Sequence, residues 1–578
     1  MKQFCLMGLL LLALGPVHSQ TYRWTWKGGS KNFETSPTWG VRGVASATNT
    51  PGARQEALTW TTPDGAFWLW GGRIKQNLYS DLWRFDATTG WWTWMNGPSG
   101  LNAAGTYGNL RVETPGTNPG ARRGAVGWVD DQGNLWMFGG RGKASLDVDP
   151  AKQEGYLNDV WKYVPAQNQW VWMAGAKRAN EIRILGNGNG GEPGGRIGCT
   201  AWKGKDGNFY LFGGGWADGW ALPNVFYNDL WRYDQTRNVW MWQWGDPPQR
   251  NWGDYGTLGV EAPCSGNASG PCNLPPKQTN ATGWTDAEGN LWFFGGEPNG
   301  NPLFSQYTTH LWRYRPTSKR WTWMGGQAAD VRTKLEGQYG TRGVASTNNL
   351  PMARSRAATW TDATGNLWLF GGDVLGTYGN DVWKLDAKTL EWTWVAGANL
   401  NVTSEPLAVF GTLNTTADTN QPGARTGAAT WVDAKGNLWI YGGAGLGETS
   451  FAYGTLSDLW MLDAATPIVT PPPTPPVTPP VTPPTTPPTD PGTVTATEEM
   501  EQQRIHMFPN PVSEGNLVLE QMPREVRVEV MNIDGAMVWQ REASVVEEVV
   551  VQGWPAGVYC VRVKARGEVI YVARFVKR

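Results

Sequence analysis

The sequence predicts an all-β chain, with a six-bladed β-propeller over residues 20–465 and a small β-sandwich over 500–578. Three observations carry that expectation. One motif recurs six times in the first part, each copy reads as four short strands, and a Pro/Thr tract separates the copies from a last strand-rich segment. Composition agrees: of 578 residues, 75 are Gly and 38 are Trp, and only 17% are charged, which suits short strands, tight turns and an aromatic interior. The formal net charge of -1 gives no electrostatic drive toward nucleic acid or an anionic membrane.

Each copy opens on a basic residue, then small residues and a Trp: Arg54 to Trp60, Arg122 to Trp128, Arg196 to Trp202, Lys277 to Trp284, Arg354 to Trp360 and Arg425 to Trp431. A polar turn, usually Asp-x-x-Gly-Asn, leads into an apolar run ending in two glycines, such as Gly71-Gly72 and Gly442-Gly443. After a variable loop comes Asp-Leu/Val-Trp, as at Asp81 to Trp83 and Asp458 to Trp460, with His310 replacing Asp in the fourth copy. The last segment reads Trp-x-Trp, as at Trp92 and Trp94. Four antiparallel strands repeated radially make a propeller, because one blade cannot bury both faces alone. The sixth copy lacks Trp-x-Trp, and Trp24 and Trp26 supply it from the N-terminus. The N-terminal strand is therefore expected to complete the last blade and remove a free edge. On its paired Gly, later Trp and leading Arg, the pattern resembles the kelch repeat over about residues 21–465, with rows longer and richer in Trp than is usual for that family.

Residues 1–19 read as a signal peptide: Lys2, an apolar run from Phe4 to Leu14, and a cleavage site at Val17 to Ser19. That run is too short to span a bilayer, so no transmembrane anchor is expected. Cys264 and Cys272 flank a short polar loop and are expected to form a disulfide, while Cys199 and Cys560 read as buried thiols. Residues 466–499 form a Pro/Thr-rich linker, whose polyproline II stretch reaches on the order of 80 Å. In the last domain, strand-like runs appear at 517–520, 526–531, 546–551, 558–563 and 569–576. Phe508-Pro509-Asn510-Pro511, the Asp534-Gly535 turn, Pro555 to Tyr559 and the basic end Phe575 to Arg578 look like the C-terminal sorting domain of type IX secretion substrates. The resemblance implies that residues 500–578 engage that machinery, and that the chain crosses a Gram-negative outer membrane to be released or held at the surface.

No catalytic set reads from the sequence, and no cofactor or metal is expected. The three histidines are His18, in the signal, and His310 and His506, in different domains, so no paired-His metal site is available in the propeller. The Asp-x-x-Gly-Asn turns read as hairpin chemistry. Loop lengths place the long connections on one face, where binding residues concentrate. Arg54, Arg122, Arg196, Lys277, Arg354 and Arg425 stand where long loops enter the innermost strands. Two readings follow: structural bonds to loop carbonyls or to Asp carboxylates of a neighbouring blade, or a cationic rim for an acidic glycan or peptide carboxylate. Among loop aromatics, Tyr107, Tyr255 and Tyr339 share a motif and read as packing, Trp39 is a further loop aromatic, and Trp216 and Trp220 break the pattern and read as ligand contacts.

The functional reading is a secreted or outer-membrane-surface module that binds a glycan or protein ligand. The alternatives are a polysaccharide-active hydrolase or lyase using carboxylate catalysis, and a structural surface protein. Deleting residues 500–578 should leave the propeller in the periplasm, assayed by fractionation; normal surface appearance of the truncated chain would contradict the sorting assignment.

Overall fold

The computed structural model describes residues 22–463, except 187–189, 217–224, 246–252, 263–272, 299–306, 328–335, 375, 403–405 and 449–452, together with the strands of 506–577. Residues 1–19, the 466–499 linker, Trp220, Cys264, Cys272 and the side chain of Cys560 lie outside the described residues. The chain divides into two compact units, Met1–Pro471 and Pro472–Arg578. Both are all-β; among the described residues the helical elements are two 3-10 turns, Pro150–Lys152 and Pro165–Gln167.

In the first unit, five repeats each form one four-stranded antiparallel sheet in chain order. In the first repeat the strands are Leu58–Thr61, Phe67–Trp70, Leu82–Asp86 and Trp91–Asn96. The sixth repeat supplies Ala429–Val432, Leu438–Gly445 and Gly454–Asp463, and the N-terminal strand Arg23–Gly28 pairs with the last of these, Trp26 opposite Trp460. The third and fourth strands slip register at the same place in each repeat, as between Leu82 and Trp83 or Val382 and Trp383. Such a bulge re-aims the strand and sharpens its twist.

The turn carboxylate fixes the second strand. Asp130 accepts the Asn134 backbone N–H at 2.8 Å on Oδ1 and the Trp136 indole N–H at 2.8 Å on Oδ2. Asp286, Asp362 and Asp433 do the same. Aromatic clusters then join sheet to sheet. Leu58, Trp60 and Trp68 pack with Trp161 and Trp170 of the second repeat, and Phe67 and Phe85 pack with Trp431, Trp439 and Tyr441 of the sixth. The inner-strand Trp donates its indole N–H to the backbone of the next sheet: Trp60 to Trp136 at 3.0 Å, Trp202 to Trp292 at 3.0 Å, Trp284 to Trp368 at 2.8 Å, Trp360 to Trp439 at 3.4 Å and Trp431 to Trp68 at 3.0 Å.

The outer edge of five of the six repeats is covered as well. A turn in the long loop donates a backbone N–H to the last strand: Gly43 to Trp94, Arg111 to Trp172, Gly259 to Trp323, Gly343 to Trp394 and Asn414 to Trp26, at 2.7 to 2.9 Å. These contacts occupy edge groups that would otherwise template another strand.

The second unit holds a three-stranded sheet, His506–Phe508, Asn516–Glu520 and Glu547–Val550, and a four-stranded one, Met537–Ala543, Val526–Asn532, Gly557–Ala565 and Glu568–Lys577. All five runs expected from the sequence are strands. Met537–Ala543 and His506–Phe508 were not anticipated, because Gln540, Arg541 and Glu542 break the apolar signal in the former and the latter is only three residues long.

Replacing Trp431 by Phe keeps the ring but loses the hydrogen bond to Trp68, and should cost about 1 kcal/mol. Trp431→Ala should cost about 3–5 kcal/mol by leaving a cavity between the sixth and first sheets. Denaturant midpoints with an unchanged slope check both.

Candidate functional site

The repeated arginines are not a solvent-facing rim, and the expectation that they bind ligand is corrected here. Arg54, Arg122, Arg196, Arg354 and Arg425 are at most 1% exposed. Each clamps the aspartate of its own repeat, not of a neighbour. Arg354 donates to Asp381 Oδ1 and Oδ2 at 2.7 Å each, and Arg425 to Asp458 likewise. Each also donates to the carbonyl of the first paired glycine: Arg54 to Gly71 at 3.0 Å, Arg122 to Gly139 at 3.1 Å, Arg196 to Gly213 at 3.0 Å. The carboxylate in turn accepts the indole N–H two residues on, as from Trp161 to Asp159 at 2.7 Å. Burial opposes charge on Asp229, but Arg196 and Arg183 prevail and hold its carboxyl below the usual range.

Lys277 does not occupy the arginine position; Gln278 does. The Gln278 N–H donates to the Tyr227 carbonyl as Arg122 donates to Tyr79 and Arg196 to Leu157. The sequence carried this signal, since Gln278 to Trp284 has the spacing of Arg122 to Trp128, whereas Lys277 lies one residue too far. The loop aromatics also find their role. Tyr107 and Tyr339 donate their hydroxyls to Asp159 and Asp381 at 2.6 and 2.8 Å, and Trp39 donates its indole N–H to Asp81 at 3.3 Å. Tyr255 meets His310 instead. Trp216 packs against Tyr156 and Ile197.

Residues that sequence reasoning passed over form the site. Two residues beyond each arginine position the backbone turns left-handed: Glu56, Gly124, Gly198, Asn280, Arg356 and Gly427 have φ between 51° and 70°. Their amides bond from repeat to repeat. Gly124 donates to Glu56 at 3.1 Å, Glu56 to Gly427 at 2.9 Å, Gly427 to Arg356 at 3.2 Å, Arg356 to Asn280 at 3.0 Å and Asn280 to Gly198 at 2.7 Å. This collar stands over a cavity of about 700 Å³ walled by small residues of all six repeats, among them Ala57, Gly127, Ala201, Gly283, Ala357 and Ala428.

Three collar positions are glycine, which takes this conformation freely. The other three bear Asn, which tolerates it, and Glu and Arg, for which it is strained. Glu56 bonds Arg123 and lies 3.1 Å from Arg73. Burial would raise its pKa, yet Arg123, Arg356 and Arg73 bring it down to about 2. Glu297 accepts from Asn280 at 3.0 Å, Ser355 at 3.1 Å and Arg356 at 3.4 Å. Tyr307 joins the same wall, its pKa raised by burial and by Asp373 and Glu297. Cys199 also lines the cavity, half-buried and not fully enclosed as expected, and burial pushes its thiol up to about 12. The mouth is therefore bipolar: fixed carboxylates and guanidiniums side by side, with an amide and a phenol between.

Arg122→Met should cost about 3–5 kcal/mol by stranding the Asp159 carboxylate, and adding Asp159→Leu should recover most of that loss. Urea unfolding of the two variants checks this; equal stability of both would contradict the pairing.

Among the described residues, no helix is long and apolar enough to cross a membrane. No curated protein matches the chain. Residues 506–578 match the family described as the secretion system C-terminal sorting domain. That tail implies interaction with the type IX secretion machinery, and it marks the chain as exported, to the cell surface or beyond it.

Proposed function

We propose that residues 20–465 form a six-bladed, kelch-like β-propeller with its last blade completed by the N-terminal strand, and that the exported propeller is a binding or adhesion module that captures a glycan at the collar. Residues 1–19 are its signal peptide, 466–499 its spacer and 500–578 the segment that directs export. The propeller reading is supported by the run of inter-sheet contacts from the first repeat to the sixth and from the sixth back to the first.

One observation carries the ligand reading: three repeats place charged or polar side chains on left-handed backbone, where the other three keep glycine, at the mouth of a cavity of about 700 Å³. That volume lies within the range of small-molecule sites, about 300–1,000 Å³. Planar groups that donate and accept side by side suit vicinal hydroxyls, which accept from a guanidinium or amide and donate to a carboxylate. Protein partners usually need a wider contact, about 800 Å² on each side. Glu56, held ionised among three guanidiniums, has no proton to donate near neutral pH and so does not serve as a general acid.

Asn280→Gly and Arg356→Gly adopt the backbone that neighbouring repeats already use, so both should fold. On a glycan array each should weaken capture about tenfold or more, as expected for loss of a charged or bidentate hydrogen bond. Unchanged binding by both variants, or turnover of the bound glycan, would contradict this reading.

A further inference from the structure

The fourth repeat breaks the Arg–Asp–Trp unit. Gln278 holds the arginine position and His310 the aspartate position. His310 faces the Tyr255 hydroxyl, 3.1 Å from Nδ1 and 3.2 Å from Nε2. Trp312, whose counterparts all donate to a carboxylate, has no acceptor for its indole N–H. Gln278 is 1% exposed with both side-chain polar atoms unbonded, and Thr308, 3% exposed, has an unbonded hydroxyl.

Register places these groups in one slot. Thr308 stands where Tyr79 and Tyr227 lay their rings over the guanidiniums of Arg54 and Arg196, at 4.1 and 4.2 Å. Threonine is smaller than that ring, and glutamine is shorter than arginine. What the slot has lost is an anionic acceptor; what it keeps are an indole N–H, a hydroxyl, and the Gln278 amide, with its N–H₂ donors and its neutral Oε1. Each buried orphan of this kind costs about 1–3 kcal/mol.

We propose that the fourth repeat binds a small monovalent anion of the halide class, held by Trp312 Nε1, Gln278 Nε2 and Thr308 Oγ1 in place of the missing carboxylate. The anion completes a unit that the other five repeats complete with their own aspartate. His310 adds no positive charge near neutral pH, because burial takes its pKa down to about 4, so the donors that hold the anion are the three neutral ones.

Crystals of the full chain soaked in sodium bromide test this directly, with an anomalous peak expected between Trp312, Gln278 and Thr308. In solution, Tm should be about 2 °C higher or more in chloride than in gluconate at equal ionic strength. The double variant Gln278→Arg/His310→Asp restores the pair found elsewhere, so it should fold, lose the peak and show the same Tm in both salts. Water alone in the slot, a Tm indifferent to the anion, or a halide effect that survives in the double variant would overturn the assignment.

Discussion

A buried guanidinium–carboxylate pair organises five of the six repeats. One arginine side chain ties the strand that enters the cavity wall to the first paired glycine and to the aspartate that opens the third strand; that aspartate holds the Trp behind it. Three segments far apart in the repeat are thereby held in fixed relation. A buried pair of this kind is a weak source of net stability, because desolvation offsets much of the attraction. Its effect is specificity: a carboxylate with several donors around it accepts one geometry and rejects a slipped register.

The paired glycines are part of the same device. Gly71 and Gly72 have φ of 64° and 90°. A Cβ on Gly71 would sit 3.0 Å from the Arg122 carbonyl, and one on Gly72 would sit 2.9 Å from the Gln55 carbonyl. The motif is therefore close-approach geometry around the arginine slot. This explains why glycine, arginine, aspartate and tryptophan recur together while intervening residues drift.

Much of this was legible before any coordinates. Six repeats, their strands, the pairing of Trp24 and Trp26 with the sixth repeat, and the polar turns all followed from spacing and residue type. The role of the arginines was less legible. Sequence placed them at the loop-to-strand junction but not their direction, and a buried pair and an exposed rim share one pattern. Charge points to Lys277, whereas register selects Gln278. The collar was missed for another reason. Glu56, Asn280 and Arg356 align with glycines, and only the left-handed backbone reveals that the variation is constrained. A position that alternates glycine with large polar residues across repeats is the signal that was available.

The pairing of Arg23–Gly28 with Gly454–Asp463 has a consequence for the order in which the chain acquires its structure. Five sheets draw their strands from contiguous sequence and can form as soon as that sequence is available. The sixth joins the two ends of the unit, so the first strand to appear is among the last to find its partner. Contacts of such sequence separation form slowly, because loop closure precedes any gain from them. During that interval Arg23–Gly28 is an unpaired, tryptophan-bearing strand, the kind of segment that aggregates or pairs with the wrong chain. The strand pair that closes the unit therefore forms only once residues 454–463 are available to Arg23–Gly28.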